Sequence, residues 1–354
     1  MALDGASFSP KEFKLAISAD GEGTTGTKQT NALTAINIDS LEMPSFNPTQ
    51  VFDVRSGSSG RLADVDDILV SQNGVTKEIS FSGILTTELS PILFQNCFAK
   101  THSNSIIEIP AAYEPPSLAT GNTSQGINHT VTLYLTLPNT TDGESSPGTD
   151  NHSIILPGCT ITSLQITGDM GSESGRLRFT ATARTGYRAE FSAAEASIAS
   201  AYTVNTYSLS TLAGASGLKT IGGATDCVIQ SFSLNIENPS EYVGQHDANG
   251  NPEAIVRAVP ELAITLDATV KYDNGNAQNT QTTAEYQSIM NSKNIVANAL
   301  HNHSSSVASA TGFGFEGSFA QVTSAAFNEA NAMMIDVSQK FFSSGSSVFF
   351  KIRY

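Results

Sequence analysis

Runs of alternating apolar and polar residues, the period-two signature of half-buried strands, recur along the chain. VTKEISFSGIL sets Val75, Lys77, Ile79 and Phe81 against polar neighbours. HTVTLYLTLP aligns Val131, Leu133, Leu135 and Leu137; GRLRFTATAR aligns Leu177, Phe179, Ala181 and Ala183; LAITLDATVKY aligns Leu262, Ile264, Leu266, Ala268 and Val270. SIILPGCTITSLQITGD carries Ile161, Leu164 and Ile166, and NALTAINIDSLEMPS predicts a strand stopped by Pro44. GFGFEGSFAQV, AMMIDVSQKFF and SSVFFKIRY predict three further strands near the C-terminus. Helical spacing occurs twice. In TTELSPILFQNCF, Ser90 can cap, Pro91 suits the first turn, and Leu89, Leu93 and Cys97 share a face. Thr282 and Glu285 have capping-box spacing, followed by Tyr286, Ile289, Met290, Lys293, Ala297 and Leu300 at helical intervals. The pattern predicts a mainly β, α+β chain with antiparallel sheets, each half flanked by one helix.

The order of elements repeats. NALTAINIDSLEMPS and CVIQSFSLNIENPS both run into E-x-P-S, at Glu42–Ser45 and Glu237–Ser240. A long polar loop follows each, residues 45–74 and 238–261, then a strand and a helix. Near the ends, SESGRLRFTATAR matches FSSGSSVFFKIRY, aligning Phe179 with Phe349. The expected organisation is an N-terminal arm over 1–30, a first domain over 31–184, a connector over 185–225 and a second domain over 226–354. The Pro-rich stretch near 101–128 is the segment that the shorter second domain lacks. A chain of 354 residues exceeds the roughly 250 at which single cores stop growing, so two cores are expected.

Composition narrows the function. With 18 Lys plus Arg against 33 Asp plus Glu, the formal charge is −15, which repels phosphate and argues against a nucleic-acid reader. About 80 serines and threonines, 28 glycines and no tryptophan suit strands and tight turns. Between Lys100 and Arg176 there is no Lys or Arg, while Glu108, Glu114, Asp142, Glu144, Asp150, Asp169 and Glu173 are present. Cys97, Cys159 and Cys227 form neither a disulfide framework nor a metal knuckle. The N-terminus has no basic and apolar leader, and no apolar run has the length of a membrane span. Synthesis in the cytoplasm is expected.

Candidate chemistry is sparse. Gly21, Gly23 and Gly26 match G-x-G-x-x-G, but the following residues leave no room for the helix that would present its N-terminus to a pyrophosphate. Gly312, Gly314 and Gly317 repeat the spacing inside an aromatic strand pattern, and chance alone yields about 0.2 matches in such a chain. Asp247, Asn249 and Glu253 form a fragment of a calcium loop that reads better as an Asn-Gly hairpin. His301 and His303 lack a third ligand, and no nucleophile elbow occurs. No enzyme activity, cofactor or metal is expected.

The runs ALTAINIDSLEMPSFNP, GVTKEISFSGILTTELSPILFQNCF and PGCTITSLQITGDMGSESGRLRFTATAR together resemble the major tail tube proteins of long-tailed bacteriophages. The resemblance covers most of residues 10–184 and, through the repeat, 226–354. It implies two tandem β-sandwich or partial-barrel tube domains, subunits joined edge to edge in rings, and rings stacked into the virion tube through which the genome leaves. Two domains per chain imply a homotrimeric, pseudo-sixfold ring instead of six single-domain chains. Partners implied are further copies of the chain, the tail terminator, tape measure and distal tail proteins, and phage DNA that passes without specific binding; no membrane partner is implied. By the same resemblance the long loops reach the adjoining ring, with Arg55, Arg61, Asp64, Asp66 and Asp67 in the first and Glu241, Asp247, Glu253 and Arg257 in the second as polar contacts. Glu108, Glu144, Asp169 and Glu173 are lumen candidates. The alternative is a non-enzymatic β-sandwich adhesin or decoration protein that binds cell-surface glycans.

Overall fold

The computed structural model describes residues 14–18, 22, 26–29, 33–44, 49–52, 68–71, 76–100, 104–109, 117–119, 130–136, 153–192, 205–212, 217–243, 251–252, 254–257, 261–271, 295–328, 334–343 and 348–354. The first half holds β1 (Lys14–Ser18), β2 (Leu33–Ile36), β3 (Ile38–Glu42), β4 (Thr49–Phe52), β5 (Ile68–Ser71), β6 (Lys77–Ile84), α1 (Leu89–Phe98), β7 (Ile106–Ile109), β8 (Ser117–Ala119), β9 (Val131–Thr136), β10 (Ser153–Asp169), β11 (Arg178–Thr185) and β12 (Glu190–Ser192). The second holds the single turn α2 (Leu209–Leu212), β13 (Leu218–Thr220), β14 (Ile229–Glu237), β15 (Ser240–Val243), β16 (Ala254–Arg257), β17 (Ala263–Lys271), β18 (Ile295–His301), β19 (Gly314–Asn328), β20 (Met334–Phe341) and β21 (Phe350–Arg353). The chain is mainly β, as the alternation predicted.

Two antiparallel runs of four strands make the principal layer. The first unit has the order β3-β6-β11-β10 and the second β14-β17-β20-β19; β10 pairs with β14, so the eight strands form one continuous sheet. Period-two burial follows the sequence: β6 buries Ile79 and Phe81, and β17 buries Ile264, Leu266, Ala268 and Val270. The longest strands, β10 and β19, each serve two layers. The N-terminal half of β10 pairs with β9 and β12 and the C-terminal half with β11 and β14. β19 pairs through its N-terminal half with β18 and β21 and through its C-terminal half with β20. At roughly 3.3 Å per residue, a seventeen-residue strand such as β10 spans about 56 Å, long enough to cross from one layer into the other. The crossing needs a bend, and Gly158 supplies it at φ +63, where a Cβ would lie 2.3 Å from the Tyr187 ring.

Several elements differ from the sequence expectations. The arm over 1–30 contains β1, which lies between β2 and β9 with Leu15, Ala16 and Ile17 buried. The connector carries β12 and β13, both paired into layers of the fold. From the Pro-rich stretch, β7 pairs with β21 and β8 with β16, so the first half lends strands to the second. Phe179 and Phe349 differ in setting: Phe179 lies on β11 between β10 and β6, whereas Phe349 precedes β21, which pairs with β19 and β7. The expected second helix falls largely outside the described residues, and its last stretch, Ile295–His301, is β18. Ser90 does not cap α1; Thr86 Oγ1 accepts from the Leu89 N–H at 3.3 Å, and Ser90 Oγ meets Tyr207 Oη at 3.1 Å. The largest buried cluster runs from Leu15 to Tyr354 and crosses the β10–β14 pairing, beside two smaller ones around Ala16 and around Tyr187. The loop strands β4 and β5 pair only with each other among the described residues.

Candidate functional site

The β10–β14 seam joins the four-strand run of the first half to that of the second. Seven residue pairs join it, from Ser163 opposite Glu237 to Asp169 opposite Ser231, without a register shift. Registers on either side continue across it. One row reads Leu41, Phe81, Ala181, Leu164, Ile236 and Ile264, apolar throughout. The adjoining row reads Ser40, Ser82, Thr180, Gln165, Asn235, Thr265, Lys340 and Gln321, polar throughout. Successive strand residues point to opposite faces, so one face of all eight strands is core and the other is polar. Gly168 keeps the seam close-packed: a Cβ there would meet Leu177 at 2.7 Å and Phe232 at 2.8 Å.

A buried polar cluster anchors one end of the seam. Asn238 donates from its backbone to the Thr162 carbonyl at 2.9 Å and from Nδ2 to the Cys97 carbonyl at 2.6 Å. Arg257, 1% exposed, donates to the carbonyls of Ile161 at 2.8 Å and Asn96 at 2.7 Å. The Asn96 carbonyl lies in the last turn of α1, where unsatisfied carbonyls make a cation favourable. Asn96 in turn donates to the Cys159 carbonyl at 3.3 Å and accepts from the Ile161 N–H. From β15, Tyr242 Oη donates to the Gly158 carbonyl at 2.9 Å, and Ser240 Oγ lies 2.6 Å from Thr160 Oγ1. Burial pushes the Tyr242 phenol well above its ordinary value and the Cys97 thiol up to about 12, so neither ionises in the ordinary range. The hairpin of the second long loop is thereby fastened to the first unit.

The polar face is dominated by hydroxyl, amide and carboxylate groups. Gln165 donates to Ser233 at 2.9 Å, Thr269 to Asp336 at 2.7 Å and Asn328 to Asp336 at 3.0 Å. A shallow open groove of about 420 Å³ crosses five strands here; Asp169, Asp267 and Asp336 line it, and no Lys or Arg does.

The predicted site residues separate widely. Arg55, Arg61, Asp64, Asp66, Asp67, Asp247, Glu253 and Glu144 lie outside the described residues. Glu241 is exposed on β15. Arg257, expected as a surface contact, is instead buried in its own chain, because its guanidinium satisfies carbonyls at the bend of β10 and the end of α1. Asp169 lies at the end of β10 on the polar face, holding the Gly171 N–H at 2.8 Å. Glu173 sits in the following 3-10 turn, 2.7 Å from Arg178. Glu108 is elsewhere, on β7, 3.3 Å from Lys351. Asn96, Asn238 and Tyr242 escaped the sequence analysis, since an isolated amide or phenol in a loop or helix carries no spacing signal.

The G-x-G-x-x-G run finds another use. Glu22 is buried with its carboxylate accepting from the N–H groups of Gly26 at 2.8 Å and Gly158 at 2.7 Å, and from Thr130 at 3.0 Å and Thr132 at 2.6 Å. Burial raises its pKa in spite of these donors. The turn at Gly26, φ +78, therefore cradles a carboxylate of its own chain. Gly314 and Gly317 are packing positions, where a Cβ would meet His301 at 2.6 Å and the Phe341 ring at 2.1 Å. Among the described residues no group of three or more His, Cys, Asp or Glu could hold a metal ion.

Comparison with known proteins gives one finding. A family model described as phage tail tube protein matches residues 13–299. No curated protein matches the chain.

Proposed function

The chain belongs to the phage tail tube protein family and is a structural protein of the virion tail, not an enzyme; from that premise we propose that three copies close into a ring of six sheet units and that such rings stack into the tail tube. The observation that carries the stoichiometry is the repeated strand order: β3-β6-β11-β10 meets β14-β17-β20-β19 inside one chain. Each run of four thus ends in one long strand, β10 or β19, and a junction between the two runs is already made within the chain at β10 and β14. Two units per chain and a sixfold arrangement of units require three chains, and closure pairs the remaining edges.

In this reading the polar face lines the lumen. Asp169, Asp267 and Asp336, with the net charge of −15, suit a wall facing a duplex that carries one negative charge per about 1.7 Å. Hydroxyl and amide groups already bonded to one another leave few donors to hold phosphate, so DNA slides through. The long loops contact the adjoining ring, with Arg55, Arg61, Asp64, Asp66, Asp67, Glu241, Asp247 and Glu253 as the polar groups. Tail terminator, tape measure and distal tail proteins meet the tube at its ends and interior. Electron microscopy of the purified protein tests this: hollow tubes with three chains per ring are expected, and dispersed monomers or rings of six chains would refute it.

A further inference from the structure

We propose that residues 302–311, the connection from β18 to β19, are a latch that neutral His301 and His303 hold shut and that acid opens, uncovering the far face of the strands beneath. Those strands run in the order β7-β21-β19-β18-β13, with the N-terminal half of β19 taking part. Ile107, Ile352, Phe315 and Leu300 form a row on the core side. The neighbouring row points the other way and reads Ile106, Arg353, Gly314, His301 and Leu218. A Cβ on Gly314 would lie 2.6 Å from that of His301, so the histidine packs directly on the strand. Over this side the connection folds as a compact loop with its ends together. Asn302 pins them, donating to the Thr311 carbonyl at 2.8 Å and accepting from the Thr311 N–H at 2.9 Å. The 3-10 turn Val307–Ser309 forms its middle, with Val307 buried. Glu316 accepts from the Val307 N–H at 2.9 Å, and Arg353 donates to the Ala308 carbonyl at 2.6 Å.

The entry of the loop is held by two imidazoles. Nδ1 of His301 accepts from the His303 N–H at 3.4 Å, and Nδ1 of His303 accepts from the Ser305 N–H at 3.2 Å. A backbone N–H can only donate, so both Nδ1 atoms carry a lone pair and both rings are neutral. The His303 carbonyl ties the same turn to β13, accepting from the Leu218 N–H at 3.1 Å. Protonation sets N–H against N–H at both places. At His301 nothing compensates for it: the residue is 0% exposed, and its Nε2 has no hydrogen-bond partner among the described residues. The charged groups on the elements packed around it are Glu316 on β19, Lys351 and Arg353 on β21, Glu108 on β7, Lys219 on β13 and His303 itself. Glu108 lies 3.3 Å from Lys351, and Lys219 opposes Leu300 in the row on the core side. Burial lowers the His301 pKa; Glu316 acts against it and His303 with it. The closed loop is therefore fully stable above the ordinary histidine range, loses stability as pH falls through the ordinary value, and levels off below the lowered one.

Hydrogen exchange of the full chain tests the latch, read by mass spectrometry from about pH 8 to about pH 5 and corrected for the intrinsic effect of pH on exchange. Protection of the 302–311 amides is expected to fall several-fold over this range while that of β6 and β17 stays level. Loop protection that keeps pace with those strands at every pH would overturn the proposal. The double variant His301→Asn with His303→Asn keeps a side-chain acceptor near each Nδ1 position and has no proton to gain, so its loop protection is expected to be independent of pH. A response of natural size in that variant would overturn the assignment to the histidines. Glu316→Gln keeps an acceptor for the Val307 N–H and is expected to retain the response; its loss there would overturn the assignment as well.

Discussion

β14 and β3 are the same kind of strand in two situations. Each pairs antiparallel with a strand of its own half and ends at E-x-P-S, yet among the described residues β14 is paired on both edges and β3 on one. Across the seam the apolar row from Leu41 to Ile264 passes from one unit to the other with no change in chemistry. The side chains of a sheet edge and those of a sheet interior are therefore nearly interchangeable, and the neighbour decides which is buried. Covalent linkage fixes one neighbour. What it adds is polar: Asn238, Arg257 and Tyr242 occupy positions of the chain after β14 and tie it to α1 and β10.

The comparison is broken most severely at its apolar centre. Ile236→Ala empties a fully buried site at the seam and is expected to cost about 2–5 kcal/mol, whereas Leu41→Ala, half-buried, should cost the monomer less than about 1.5 kcal/mol. Chemical denaturation of the two monomers side by side measures the difference. Next, Arg257→Met removes the donors from the Ile161 and Asn96 carbonyls; a loss of about 1–3 kcal/mol follows, detectable as a lower thermal midpoint. Gly158→Ala forces a side chain into a left-handed position against the Tyr187 ring and should cost about 1–3 kcal/mol by the same measurement, loosening the bend on which the seam depends.

The smallest effect is that of pH at Glu22, which holds Gly158 from the other side. Its folded-state pKa is raised by burial, so its favourable contribution is fully present below the unfolded carboxylate value and is lost as pH rises through the raised one. Stability of the natural chain relative to Glu22→Gln should fall over that interval and be level outside it; denaturation at a series of pH values reads the difference. A relative stability that rises instead would place the carboxylate in a more favourable environment than its burial indicates.

Much of the principal layer could be read from alternation, because β6, β11 and β17 each have one core face and one polar face. E-x-P-S follows both β3 and β14, each paired antiparallel with a strand of its own half. The second alignment failed because a Ser-Gly turn before an aromatic run is a local signal, while the place of β11 or β21 in the sheet is set by distant partners. β18 fooled the periodicity for a related reason: Ala297 and Leu300 in a short segment satisfy a helical interval, and pairing with β19 outweighs it. β1 was hidden by its brevity within polar surroundings. Arg257 illustrates what charge alone cannot tell, since a guanidinium in a polar loop reads as surface until the carbonyls that receive it are brought near by the fold. The strands lent by the Pro-rich stretch, β7 and β8, depend wholly on such distant pairing.

The most direct measurement is a cryo-electron microscopy reconstruction of assembled tubes at a resolution that traces strands. It should show three chains per ring and six sheet units. Six chains per ring, or no ring at all, would contradict the account.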